Sequence, residues 1–539
     1  MEMTLTLRYD TLLMDEEYAD AAFKMLVNHI SRTQVYSDQE THLSILNHLP
    51  LQQPLLHSRK AEMSLLYLGF RDTVNEHPSR RALDYRSETT QFTMTYRQLD
   101  AITTALAHKL LNSIHRTSNN AQVIVPVYMD ASPALYISWL ALLKAGFALC
   151  PLPVGAPALE LQSIVEDTCA SLVLTNGPML CGCPWDAWYR DDDDLSVYLD
   201  VNEFITAWMQ APKTLDNRSL PSIAETNLAY VMYSNNSSAM PLGVKMTHRA
   251  ASSTIASNAK QIPAHMRKIG YRWLASSSPT SHFSVLEMFI TWSTGGTFCA
   301  VTPTLDLTTA INKVSATITT ANHFQASTLD LARVPSLRWL WCVSSIPASL
   351  IQQLRGISRS TYSPLTVLKL YTAPHDTVIT GIISSGASST RGSVIGAPLP
   401  GTSALLLNHA ITTPVPLGAV GDLYIKGDGL PSGDLHRPDL DATAFFSHPI
   451  YGKLYRTGDR GRLVKDSRGE FVVDLVENIR RGDVEEGKEL ERSVDGRHSV
   501  ASMVDSFTEA SVLENEEKFD VTDANVLSLI GKTLIRSTF

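Results

Sequence analysis

Apolar positions along this chain recur in two rhythms, one of helix spacing and one of short continuous runs. Ala22, Phe23, Leu26, Val27 and Ile30 share a face at helical spacing and predict an amphipathic helix over 18–30. A polar connector rich in Gln and His follows over 31–60, and a second amphipathic helix is expected over 65–74, ending at Glu76-His77-Pro78. Residues 93–100 and 101–111 read as a short strand, a turn and a helix, with Thr95, Gln98 and Asp100 in position to cap it. The run 123–128 predicts a buried strand, 134–145 a helix closed by Gly146, and 148–153 another strand. Strands alternating with helices predict an α/β protein with a mostly parallel sheet covered by helices.

Composition narrows the class. A chain of 539 residues is too long for one ordinary core, and 44% hydrophobic with 18% charged residues is a globular balance. The net charge of -9 argues against a nucleic-acid partner, because phosphate backbones attract basic faces. The first ten residues lack a basic segment followed by an apolar one, and no apolar run approaches the roughly 18 residues a membrane span needs. A cytoplasmic protein without membrane contact is therefore predicted. Cys150, Cys169, Cys299 and Cys342 sit in apolar surroundings and are expected to be buried thiols. Cys181-Gly182-Cys183 lacks a second ligand pair, and the run Asp191 to Asp194 reads as a solvated loop, so no metal site is expected at either.

The most informative stretch begins with the apolar run 229–233. It enters Ser234-Asn235-Asn236-Ser237-Ser238-Ala239-Met240-Pro241-Leu242-Gly243-Val244, and Thr247-His248 follows. Backbone N–H groups in a turn rich in small polar residues can converge on a phosphate. This layout resembles the signature loop of adenylate-forming enzymes, in particular adenylation domains of nonribosomal peptide synthetases, which reads Tyr-Thr-Ser-Gly-Ser-Thr-Gly-x-Pro-Lys-Gly-Val. Asn236 and Ala239 stand here where that family has glycine, and Leu242 where it has lysine. The resemblance makes Ser234, Ser237 and Ser238 candidate nucleotide contacts.

Further segments carry the same resemblance. Leu142-Leu143-Lys144-Ala145-Gly146 with Pro151-Leu152-Pro153 is similar to the family's Leu-Lys-Ala-Gly-x-x-x-x-Pro-Leu segment, and Tyr455-Arg456-Thr457-Gly458-Asp459 is identical to its ribose-binding motif. Asp459 is accordingly expected to accept hydrogen bonds from ribose hydroxyls. Tyr371-Thr372-Ala373-Pro374-His375 occupies the place of Tyr-Gly-Pro-Thr-Glu, which implies that Tyr371 stacks on adenine while Pro374 and His375 hold phosphate and magnesium poorly. Ser281-His282-Phe283-Ser284-Val285-Leu286-Glu287 stands where relatives taking α-amino acids have Phe-Asp-x-Ser-x-x-Glu, the aspartate pairing with the substrate ammonium. Imidazole is no permanent counter-charge to ammonium, so a carboxylate without a free α-amine is expected beside His282. Ser344-Ser345-Ile346 replaces a Gly-Gly-Glu turn and makes Ser344 a second candidate substrate contact.

The fold implied is α/β: a large adenylate-forming core of stacked, mostly parallel sheets with helices plus a distorted β-barrel, and a small C-terminal domain that is incomplete. The expected division is 1–60, an extension resembling the end of a condensation domain plus a linker; 61–465, the adenylation core; and 466–539, a truncated C-terminal subdomain or tail. Three functions stay open. The first is ATP-dependent and Mg2+-dependent activation of a carboxylic or amino acid as its acyl-AMP in secondary metabolism, including siderophore biosynthesis, with carrier-protein or synthetase modules on another chain. The second is a catalytically inactive scaffold, and the third an acyl-CoA-ligase-like enzyme. No catalytic side chain and no metal ligand is assigned.

Overall fold

A computed structural model describes residues 64–114, 122–177, 197–210, 219–234, 241–343, 350, 365–372, 382–384, 394–408, 413–415, 418–465 and 471–478, with the short strands Met3–Leu7, Leu55–Leu56 and Glu517–Val521. The helix expected over 18–30, the pair Cys181 and Cys183, and the run Asp191 to Asp194 lie outside the described residues.

Among the described residues, seven strands form one sheet in the order Gly433–Asp434, Leu242–Thr247, Leu228–Ser234, Ala148–Pro151, Ile124–Tyr128, Leu172–Thr175 and Val197–Asp200. From Leu228–Ser234 onward the neighbours are parallel, and the first two pairings are antiparallel. Every residue of Ile124–Tyr128 and Ala148–Pro151 is buried, as strands covered on both faces require. The helix Pro133–Ala145 connects these two strands. It is capped by the Ser132 hydroxyl and ends at Gly146, whose φ of 78° is the left-handed value glycine adopts without a Cβ clash.

The helix expected over 101–111 starts earlier, as Tyr96–Ser113, because Thr95 and Gln98 close a reciprocal capping box one turn upstream. Asp100, a candidate cap by sequence, faces Lys144 instead. The Lys144 ammonium is buried and donates to the Asp100 carboxylate at 2.7 Å, the Asp100 carbonyl at 3.0 Å, and the hydroxyls of Thr103 and Thr104. The helix expected over 65–74 is Leu68–Glu76. Cys150, Cys299 and Cys342 are buried, but Cys169 is exposed, contrary to the expectation from its apolar neighbours. It takes a left-handed φ of 51° just after the helix Ala158–Asp167 and donates its N–H to the Glu166 carbonyl, so the chain reverses there and turns the thiol outward.

A second sheet holds fifteen strands among the described residues. Its parallel part runs Arg81–Arg86, Thr297–Val301, Arg272–Leu274, Ile318–Ala321, Trp339–Cys342 and Thr366–Leu370. It continues through Ile382–Ser384 and Val394–Pro398 into antiparallel strands Phe471–Asn478, Gly452–Lys465, Gly421–Gly427 and Thr402–Leu407. These antiparallel strands occupy the region for which the resemblance implies a barrel.

The helix His282–Ser293 packs against the helices Leu68–Glu76 and His248–Ala259 and the strand Thr297–Val301, and all but its last residue are buried. A helix covered on all sides must be apolar nearly all round. Here Phe283, Val285, Leu286, Met288, Phe289, Ile290 and Trp292 share one hydrophobic cluster with residues of both sheets, among them Tyr230, Met232, Trp273 and Phe298. The Trp292 indole N–H donates to the Ala82 carbonyl at 2.9 Å, which satisfies the polar end of a fully buried ring. Asp84 on the first strand of the parallel part is also fully buried. Burial pushes its carboxyl up, but hydrogen bonds from Arg86 and Arg272 outweigh this and hold it below the usual range. No helix among the described residues is long and apolar enough to cross a membrane.

The two ends of the Lys144 pair differ in exposure, 4% for Lys144 and 36% for Asp100. Asp100→Ala strands a buried ammonium and is expected to cost about 3 kcal/mol. Lys144→Met keeps an apolar stem and leaves an aspartate that water reaches, and is expected to cost less than about 1.5 kcal/mol. Chemical denaturation of the two variants checks the order.

Candidate functional site

The loop singled out by sequence closes an antiparallel hairpin. Leu228–Ser234 pairs with Leu242–Thr247, Ser234 lying opposite Leu242 and Tyr233 opposite Gly243. Ser234 therefore sits at the end of a strand, whereas Ser237 and Ser238 lie outside the described residues. The hairpin's base is pinned from two sides. The Tyr233 hydroxyl donates to Asp167 at 2.6 Å, and the Leu435 N–H donates to the Gly243 carbonyl at 2.6 Å. Gly243 is needed for close approach, since a Cβ there would meet the Tyr233 ring at 2.7 Å. Thr247 caps the helix His248–Ala259 by accepting from the Ala250 N–H at 3.2 Å. His248 is buried and accepts the Leu66 N–H on Nδ1, and burial pulls its pKa down to about 4. The Thr-His pair thus ties the start of the core to this helix.

Two of the sequence-predicted residues, 88 positions apart, meet directly: the Tyr371 hydroxyl donates to Asp459 Oδ2. Tyr371 follows the strand Thr366–Leu370 at its carboxyl end, the edge at which open α/β sheets take ligands. Its ring belongs to an apolar cluster with Ile395, Leu406, Leu423 and Val473 of the antiparallel part. Burial first, and the Asp459 carboxylate second, push the phenol well above its ordinary value, so it remains a donor.

Asp459 reaches this position through a bulge. Along the pairing of Gly421–Gly427 with Gly452–Lys465, Tyr424 lies opposite Arg456 and Asp422 opposite Arg460, so Leu423 faces Thr457, Gly458 and Asp459 together. Gly458 makes the kink with a φ of 81°. Thr457 ties it down, its hydroxyl donating to the Leu423 carbonyl at 2.8 Å and accepting the Asp459 N–H at 3.1 Å. The result is a carboxylate 1% exposed, with Oδ2 held by Tyr371 and Oδ1 buried without a partner. Burial raises the pKa of Asp459, and the Tyr371 hydrogen bond pulls it part of the way back. A buried, unpaired acceptor is costly and rare, and it fits a ligand donor.

His282 opens the buried helix and is 3% exposed, beneath a Ser281 cap. Its Nδ1 lies 3.4 Å from the Tyr230 hydroxyl, and Nε2 has no partner. Burial lowers its pKa to about 4, so the imidazole is neutral near pH 7. On the same helix Glu287 is fully buried. Its Oε1 accepts from Ser276, Ser277 and Thr320, which come from the carboxyl ends of neighbouring parallel strands, while Oε2 has no partner. Burial raises Glu287 from 4.5 to about 7 against the pull of those hydrogen bonds. Ser344, the other candidate substrate contact, lies outside the described residues.

Sequence reasoning paired neither Tyr371 with Asp459 nor Glu287 with its hydroxyls. Ser276, Ser277 and Thr320, polar residues just beyond or within apolar strand runs, were the available signal for the second.

Residues 70–433 match the family described as AMP-binding enzyme. The chain belongs to that family. Nonribosomal peptide synthetase sidN of Epichloe festucae (strain Fl1) is 35% identical over 459 residues, covering 80% of this chain and 10% of that protein. Siderophore peptide synthetase fer3 of Mycosarcoma maydis is 30% identical over 502 residues, covering 88% of this chain and 10% of that protein. The chain thus spans about a tenth of the length of these curated relatives. The solved structure of NpsA-ThdA, an artificially fused adenylation-PCP di-domain from Klebsiella oxytoca, superimposes with a TM-score of 0.61 at 19% identity, covering 78% of this chain and 79% of that one. This chain's fold is that of the adenylation domain in that structure.

Glu287 gives a test of the buried helix. Its neutral form stabilises the fold fully below about pH 4.5, and that contribution is lost as pH rises through about 7. The difference amounts to roughly 3 kcal/mol. Thermal unfolding of the chain should fall in midpoint between about pH 5 and pH 8, and Glu287→Gln should flatten this part of the profile.

Proposed function

We propose that this chain is an adenylation domain that activates a small carboxylic acid with ATP, within a nonribosomal synthetase assembly. Membership of the AMP-binding family supports the reaction class. The single observation that carries the nucleotide site is the Asp459 carboxylate, buried by the Thr457-Gly458-Asp459 bulge with Oδ1 unpartnered beside Tyr371. In the proposed reaction a substrate carboxylate oxygen attacks the α-phosphorus of ATP. A new P–O bond forms, the α–β phosphoanhydride breaks, and pyrophosphate leaves, giving the acyl-AMP. Asp459 holds the ribose, so that attacking and leaving oxygens can line up, and positioning of this kind supplies much of the rate. Ser234, with Ser237 and Ser238 on the hairpin loop, is assigned to the phosphates.

The substrate reading follows from His282. A neutral imidazole with one unpaired nitrogen, buried at the start of the helix, offers a hydrogen bond and no negative charge. An acid without an α-ammonium group fits this better than an α-amino acid, because a buried ammonium needs a counter-charge. Ser344 is assigned to the same substrate. Residues 61–465 form the catalytic unit in this reading, and the product passes to a carrier protein. The relative named as a siderophore synthetase points to siderophore-type secondary metabolism as the setting.

Acid-dependent exchange of labelled pyrophosphate into ATP by the purified chain tests the proposal. Exchange is expected with a member of a panel of hydroxy and aryl acids, and Asp459→Ala should reduce it at least about tenfold, a loss of about 1.4 kcal/mol. Tight ATP binding without exchange for any acid would count against an enzyme. A His282→Asp variant should shift hydroxylamine-trapped product toward α-amino acids by about tenfold, and an unchanged acid preference would remove His282 from the substrate site.

A further inference from the structure

We propose that Glu287 reads the far end of the acid substrate, and that the acid taken carries a neutral oxygen there, as a ketone, amide or hydroxyl, rather than a hydrocarbon end. This rests on the substrate reading above and deepens it. The observation behind it is a shortage of acceptors beneath the buried helix. Burial keeps the Glu287 carboxyl neutral up to about pH 7. Oε1 already accepts the hydroxyls of Ser276, Ser277 and Thr320, so the proton resides on Oε2, which is buried with no partner. Trp341 lies directly opposite Thr320 on the neighbouring parallel strand, and its ring meets that of Trp273 at a centroid distance of 4.9 Å. Both indoles are fully buried, and both N–H groups lack an acceptor.

Buried donors without acceptors are costly and rare, and these three share one layer of the core, so together they call for an acceptor oxygen. An ammonium end would add a further donor, and a carboxylate end would bury a charge among indoles and hydroxyls. The depth of the layer assigns it to the far end of the acid. Thr320 faces Trp341, which faces Leu368, three residues before Tyr371. The layer therefore lies two strands across from Tyr371 and three residues deeper, about 10 Å in each direction. His282 starts the same helix five residues before Glu287, about 7.5 Å nearer the edge along its axis. The reacting carboxylate has to meet the phosphate near that edge, which leaves the opposite end of the molecule for Glu287.

Pyrophosphate exchange by the full chain, assayed below pH 7 where Glu287 is neutral, tests this with acids matched in all but the far group. Levulinic acid is compared with isocaproic acid, and para-hydroxybenzoic with para-toluic acid. In the pair that the site accepts, the oxygen-bearing acid is expected to show a kcat/KM at least about tenfold above its hydrocarbon partner. Glu287→Gln keeps a donor N–H and an acceptor carbonyl, so it should hold that ratio within about threefold. Glu287→Met removes the donor and should bring the two acids level. A merely structural Glu287 would depress both acids alike in Glu287→Met and leave the ratio unchanged, which overturns the inference. So does wild-type exchange that treats the two members alike, favours the hydrocarbon one, or responds only to α-amino acids, and each of these results leaves acid activation standing. Exchange with no acid at all would overturn the activation reading itself. The wild-type ratio decides the matter even if Glu287→Met does not fold.

Discussion

The structure depends on one helix that water does not reach. His282–Ser293 is covered by two other helices and by strands, so water does not serve its polar groups, and those without a protein partner stand out. Its apolar residues join the two sheets into one core, and Trp292 bonds the carbonyl of Ala82 on a strand of the second sheet. Its few polar side chains are consequently the places where the core is chemically specific. Thr291 bonds back to the Glu287 carbonyl, Glu287 gathers three hydroxyls from strand ends, and His282 leans on Tyr230. A site built at the start of such a helix inherits its rigidity.

The nucleotide side of the site is organised by a different device, a change from parallel to antiparallel pairing within one sheet. Tyr371 leaves the parallel part at the end of Thr366–Leu370, and Asp459 projects from the antiparallel part through a bulge. Their hydrogen bond joins the two halves where they meet. The bulge needs Gly458 for its positive φ and Thr457 for its closure, which accounts for a motif of fixed residues around the aspartate.

Much of this could be read in the chain. The apolar runs gave the parallel strands Ile124–Tyr128 and Ala148–Pro151 nearly to the residue, because strands buried on both faces are apolar throughout. The motif around Asp459 and the tyrosine at 371 were visible as family resemblance. Their contact was not, because hydrogen bonds between residues 88 apart depend on a register and a bulge that local pattern does not encode. The helix from Tyr96 was shortened in prediction because two competing caps lay within one turn, and the capping box at Thr95 and Gln98 won over Asp100. Cys169 misled for a related reason: burial follows the direction the backbone turns, and a left-handed residue after a helix end points away from its apolar neighbours in sequence. Glu287 sat inside a recognisable pattern, yet its full burial came from layers contributed by distant segments.

The hairpin of Leu228–Ser234 and Leu242–Thr247 has a bearing on how such a protein can diverge. Its register is set below the tip, by Tyr233 packing over Gly243 and anchoring to Asp167, and by Leu435 closing on the Gly243 carbonyl. None of those contacts involves residues 235–241. Substitutions confined to 235–241 leave those register contacts in place, so the sequence of the loop and the pairing of the two strands are separately heritable.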